Sequence, residues 1–77
     1  MVQPEAVAAA IRQLIPDAQV QVEDLTGGGD HIQVKVVSEQ FRDLSRVKQH
    51  QLVYGALKQE LATEAIHALA LQTSCPT

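Results

Sequence analysis

The chain has 77 residues, 45% of them hydrophobic and 19% charged, with a net charge of −3 at pH 7. That composition describes one folded domain over residues 1–77, not a disordered tail, and no stretch approaches the roughly 18 consecutive apolar residues of a membrane span. A single cysteine, Cys75, excludes an internal disulfide and any Cys-rich zinc module built from this chain alone.

The N-terminal stretch MVQPEAVAAAI has no basic segment ahead of its apolar residues and carries Glu5, so it does not read as a secretory signal. A cytoplasmic location is expected. The same stretch opens a helix. Pro4 suits a first helical turn, Glu5 complements the positive end of the dipole, and Val7, Ala10, Ile11, Leu14 and Ile15 recur at helical spacing up to Pro16. AQVQVED then alternates with Val20 and Val22 on one face, and HIQVKVV alternates with Ile32, Val34 and Val36 inward and His31, Gln33 and Lys35 outward. These are two strands, joined through LTGGG as a hairpin. SEQFRDLSR breaks both periods and reads as a connection, with Ser45 capping the next helix.

From Arg46 to about Glu64 the period is helical again, with Val47, His50, Tyr54, Leu57 and Leu61 as the apolar stripe, thickened by Val53. Gly55 within this run costs about 1 kcal/mol relative to alanine and is expected to mark close packing. ATEA, residues 62–65, breaks the helix or starts a second short one. IHALALQT then alternates as a third strand, with Leu69 and Leu71 on one side, before Pro76. The order α-β-β-α(-α)-β, with one amphipathic face per helix, predicts an α+β two-layer sandwich. Its three-stranded sheet carries the helices on one face.

Three features invite chemistry. The run Gly27-Gly28-Gly29 opens a strand and not a helix, and it lacks both Gly-Lys-Ser/Thr and GxGxxG. It is therefore a turn rather than a phosphate cradle. His31 and His67 each begin a strand, so the sheet can bring them to one end. Two imidazoles leave a metal unfinished, and Asp30 or a second protein would have to complete the site. His50 falls on the apolar stripe and is expected to pack. No G-x-S-x-G elbow surrounds Ser38 or Ser45, and a small aliphatic domain offers little room for a substrate pocket. The chain does not read as an enzyme. Cys75, near the end of the chain, reads as an exposed thiol.

Charge is unevenly spread. Residues 1–30 hold Glu5, Asp17, Glu23, Asp24 and Asp30 against Arg12, whereas residues 42–58 hold Arg42, Arg46, Lys48 and Lys58 against Asp43. A basic patch on an acidic molecule argues against strong nonspecific DNA binding while leaving local contacts open.

The segments VVSEQFRDLSRVKQHQLVYGALKQEL and IHALALQT, together with GGGDHIQV before them, resemble the BolA family of small stress-morphogen-like proteins. The resemblance covers nearly the whole chain. It implies a class II KH-like fold and partnership with a monothiol glutaredoxin. In such heterodimers a [2Fe–2S] cluster bridges the glutaredoxin, with its glutathione, and His or Cys ligands of the BolA-like subunit; the isolated subunit carries none.

The family ligand in the IHAL motif matches His67. The other family ligand lies in the loop between the first two strands, here shortened to TGGGD, so His31 is the second candidate and Asp30 the third. Many relatives continue past the third strand, whereas this sequence stops at SCPT, so a C-terminal partner surface is expected to be missing. No GXXG loop of true KH domains occurs. The alternative is a nucleic-acid-binding transcriptional regulator that uses the basic helix 46–58, with Arg42, Arg46, Lys48 and Gln49 as contacts to DNA. A third reading is a homodimerising module with no ligand of its own.

Overall fold

The computed structural model describes residues 3–25, 27, 28, 31–62, 66 and 68–76. Helix α1 (Pro4–Leu14) leads into strands β1 (Gln19–Asp24) and β2 (His31–Val37). A 3₁₀ turn (Glu39–Phe41), helices α2 (Arg46–Ala56) and α3 (Lys58–Ala62), and strand β3 (Ala68–Ser74) complete the chain. Strand β2 lies at the centre of the sheet, antiparallel to β1 and parallel to β3.

Alternation decides which side of the sheet is covered. Ile32, Val34 and Val36 are buried. The registers set Val36 between Val20 and Thr73, Val34 between Val22 and Leu71, and Ile32 beside Leu69. Val7, Ile11 and Ile15 from the α1 segment, with Val53 and Leu57 from the α2 segment, close the same core. Gln19, Gln21, Glu23 and Lys35 on the opposite face are exposed. The expected two-layer sandwich, with its helices on one face, is thus the fold.

Four local expectations are corrected. Leu14 is 48% exposed. The α1 stripe is carried by Val7, Ile11 and Ile15, and Leu14 lies at its shoulder beside Gly55 and Ala56. The α2 stripe is rotated: Val47 is 66% and Tyr54 42% exposed, and the inward positions are Gln49, Leu52, Val53, Ala56 and Leu57. Those five positions obey helical spacing as well as the expected set does. A Cβ at Gly55 would meet nothing within 4 Å, so that glycine marks no close packing. Cys75 is half-buried against the core rather than exposed.

The long helix also ends earlier than ATEA. At Leu57 the backbone N–H is shared between the carbonyls of Val53 and Tyr54 at 3.1 and 3.2 Å, a tightening typical of a final turn. The side chain turns fully into the core. Residues 63–65 lie outside the described residues. Ser45 caps α2 as expected, its Oγ accepting from the Lys48 N–H at 3.3 Å.

The irregular connection is more ordered than its lack of period suggests. Phe41 is 1% exposed and anchors it in the core. Ser38, also 1% exposed, accepts at Oγ from the Gln40 N–H at 3.0 Å and donates to Asp17 Oδ1 at 2.7 Å. The other Asp17 oxygen accepts from the Glu39 N–H at 2.9 Å.

Candidate metal centre

Because β2 and β3 run parallel, their first residues share one end of the sheet, and His31 is the register partner of Ala68. Ala68 comes directly after His67 in the chain. His67 and Asp30 themselves lie outside the described residues. Upstream of His67, Ile66 is buried and donates its N–H to the Glu60 carbonyl at 3.3 Å.

Gly27 lies in a tight turn that follows β1, and Gly29 lies outside the described residues. Gly27 takes φ +81°, a conformation strained for any residue with a Cβ. Its N–H donates to Asp24 Oδ1 at 2.9 Å, an Asx-type closure. The Leu25 N–H then reaches the His31 carbonyl at 2.9 Å. His31 is half-buried on the face opposite the helices, next to the buried Ile32. An imidazole is chemically suited to iron.

Among the described residues, no three His, Cys, Asp or Glu side chains gather to hold a metal ion. His50 and Cys75 do not join His31. His50 lies on α2, edge-on to Tyr54 with ring centroids 6.2 Å apart. Cys75 comes after β3, at the end of the sheet away from His31.

The four residues considered for nucleic acid divide into two kinds. Arg42 is held bidentately by Glu39, Nε to Oε2 at 2.7 Å and Nη2 to Oε1 at 2.8 Å, and also donates to the Pro76 carbonyl at 2.8 Å. That pairing raises the arginine's pKa and lowers the Glu39 carboxyl's. Gln49 donates from Nε2 to the carbonyls of Phe41 and Leu44 at 3.0 and 2.9 Å, and its Oε1 accepts from Thr73 Oγ1 at 2.7 Å. Both N–H donors and one acceptor position of its amide are used inside the molecule. Arg46 and Lys48 are exposed.

Sequence reasoning missed two groups. Asp17 fastens the α1–β1 loop to the β2 exit, and the Ser38 hydroxyl and Glu39 N–H hold its carboxyl below the ordinary value. Lys35 and His50 share a groove with Arg46. For that pair the outward parity of Lys35 was the only signal, and helix rotation concealed the rest.

Comparison with known proteins agrees with the fold. Residues 8–77 match the BolA model, described as BolA-like protein. BolA-like protein 3 of Mus musculus is 38% identical over 72 residues, covering 91% of this chain and 64% of the relative. The acid stress protein IbaG of Escherichia coli is 42% identical over 52 residues, covering 68% of this chain and 62% of the relative. The chain thus spans just under two thirds of the length of these curated relatives. Among solved structures, BolA1 from Arabidopsis thaliana superposes with a TM-score of 0.86 at 28% identity, covering 99% of this chain and 94% of the other. A bolA homologue from Coxiella burnetii gives 0.80 at 28% identity, covering 99% and 94%. No described helix is long and apolar enough to cross a membrane.

Proposed function

The chain belongs to the BolA-like protein family, and from that premise we propose that it is a non-enzymatic adaptor that pairs with a monothiol glutaredoxin and shares a bridging [2Fe–2S] cluster in iron–sulfur trafficking or iron-linked regulation. His67 is the first ligand in this reading, His31 the second and Asp30 a third candidate. The observation that carries it is the His31–Ala68 register pair, which sets His31 opposite the immediate chain neighbour of His67 at the glycine-turn rim. The name of the acid stress relative is in keeping with a stress-linked role.

Imidazole ligands raise the potential of an iron–sulfur centre relative to thiolates. Protons compete with iron for them, so retention of the cluster falls as pH drops. The three loop glycines carry no side chains of their own to obstruct the partner's approach.

The test is anaerobic cluster reconstitution with a monothiol glutaredoxin and glutathione, and then absorption and circular dichroism. A mixture spectrum distinct from that of the glutaredoxin alone, and lost on His67→Ala with the fold retained, is the expected result. An unchanged glutaredoxin spectrum ends the shared-cluster reading. A spectrum that survives His67→Ala removes that residue from the site. The exposure of Arg46 and Lys48 leaves nucleic-acid regulation as the second reading. It predicts salt-dependent DNA binding that Arg46→Ala/Lys48→Ala weakens.

A further inference from the structure

Among the described residues, both outer strands of the sheet have one unpaired edge, and the two edges differ. β1 reads QVQVED and ends in two carboxylates, a common protection against unwanted strand pairing. β3 reads ALALQTS, seven residues without a charge or a proline, and it pairs only with β2 among the described residues. Such an edge is a ready template for an added strand.

A groove of about 440 Å³ lies along this β3 segment, lined by Leu71, Gln72, Thr73 and Ser74, with Arg46 and His50 of α2 and Lys35 of β2. Among the described residues its lining holds a lysine, an arginine and an imidazole but no carboxylate, on a molecule whose net charge is −3. The cations are disposed on both sides of the strand. Lys35 pairs in register with Gln72 on the face opposite the helices, whereas Arg46 and His50 stand on the helix side.

We infer that the β3 edge and its groove dock an extended acidic peptide segment, which adds as a fourth strand. Successive side chains of a strand point to opposite faces. An acidic side chain of either parity therefore meets a cation: Lys35 on the open face, Arg46 beside His50 on the helix face. Main-chain pairing supplies affinity, and the flanking cations select for acidic sequence. Nucleic acid fits the groove less well, because among the described residues no Phe, Tyr or Trp lines it to stack a base. The site goes beyond the adaptor reading and does not depend on it.

The test is a ¹⁵N-NMR titration of the full chain with a peptide of alternating Glu and Val. Expected are shifts centred on the amides of residues 71–74, slowed exchange of those amides, and affinity that falls with salt. Lys35→Glu/Arg46→Glu should weaken binding by about tenfold or more, as should a proline at the centre of the peptide, which removes a ladder donor. Far-ultraviolet dichroism checks that the variant folds, and Lys35→Gln/Arg46→Gln replaces it if reversal disturbs the fold. Absence of shifts at low salt, shifts centred on another strand, or indifference to both the double variant and the proline would overturn the inference. A single-stranded oligonucleotide that outcompetes the peptide would also overturn it, and would give the groove to nucleic acid.

Discussion

The two ends of the sheet are held by different means. Where β2 and β3 finish, the bonds span long stretches of sequence: Asp17 to Ser38 and to the Glu39 N–H, Ser38 N–H to the Ser74 carbonyl at 3.1 Å, Gln49 to Thr73, and Arg42 to Pro76. Where β2 and β3 begin, short-range bonds close the turn: Asp24 to Gly27 and Leu25 to His31. Among the described residues, these bonds at the far end join segments more than twenty residues apart, whereas those named at the rim are local.

The strongest way to break this contrast is Gln49→Ala. It deprives the Leu44 carbonyl and the Thr73 hydroxyl of their partner and leaves the Phe41 carbonyl with the Leu44 N–H alone; it should cost about 2–3 kcal/mol, read as a lower denaturant midpoint at unchanged slope. Ser38→Ala should cost about 1–2 kcal/mol, because loss of the buried hydroxyl leaves both Asp17 and the Gln40 N–H short of a partner.

The same locus carries a pH signature. Folding depresses the Asp17 carboxyl below its ordinary 3.8. Its contribution is therefore complete above that value and is lost as pH falls through the depressed one. Asp17→Asn should flatten the stability–pH curve in that acid window, and an unchanged acid limb would remove Asp17 from the fastening.

At the rim the effects should be smaller. Gly27→Ala, at φ +81°, should cost about 1 kcal/mol and leave exchange protection at the fastened end unaltered. If it loosens residues 38–41 as well, the two ends are coupled and the contrast fails. Gly55→Ala should stabilise by about 0.5–1 kcal/mol, since its Cβ would enter open space within α2. A loss there would indicate a neighbour that the geometry does not show.

Local periodicity carried the strands, α1 and the layer order, because burial of alternate or fourth residues is a nearest-neighbour property of the chain. It mis-set α2, since Gln49 reads as outward when hydrophobicity alone is counted. The core accepts that amide because three partners satisfy it. Asp17 and Ser38 gave no local signal, as their bond spans 21 residues of sequence. The glycine turn and the outward parity of His31 were legible. Its pairing with Ala68 was not, because parallel register is set by the intervening helices rather than by either strand.

That register also bears on how the molecule assembles. β1 and β2 close as a hairpin over a few residues, but β2 cannot meet β3 until the chain has looped from residue 31 to residue 68. During synthesis the central strand therefore waits, with one edge open, until β3 has left the ribosome. Loop closure of that length is entropically costly and precedes the contacts that offset it. Folding should be slower than the chain's size suggests, and a chain halted before β3 would present two open strand edges to its neighbours.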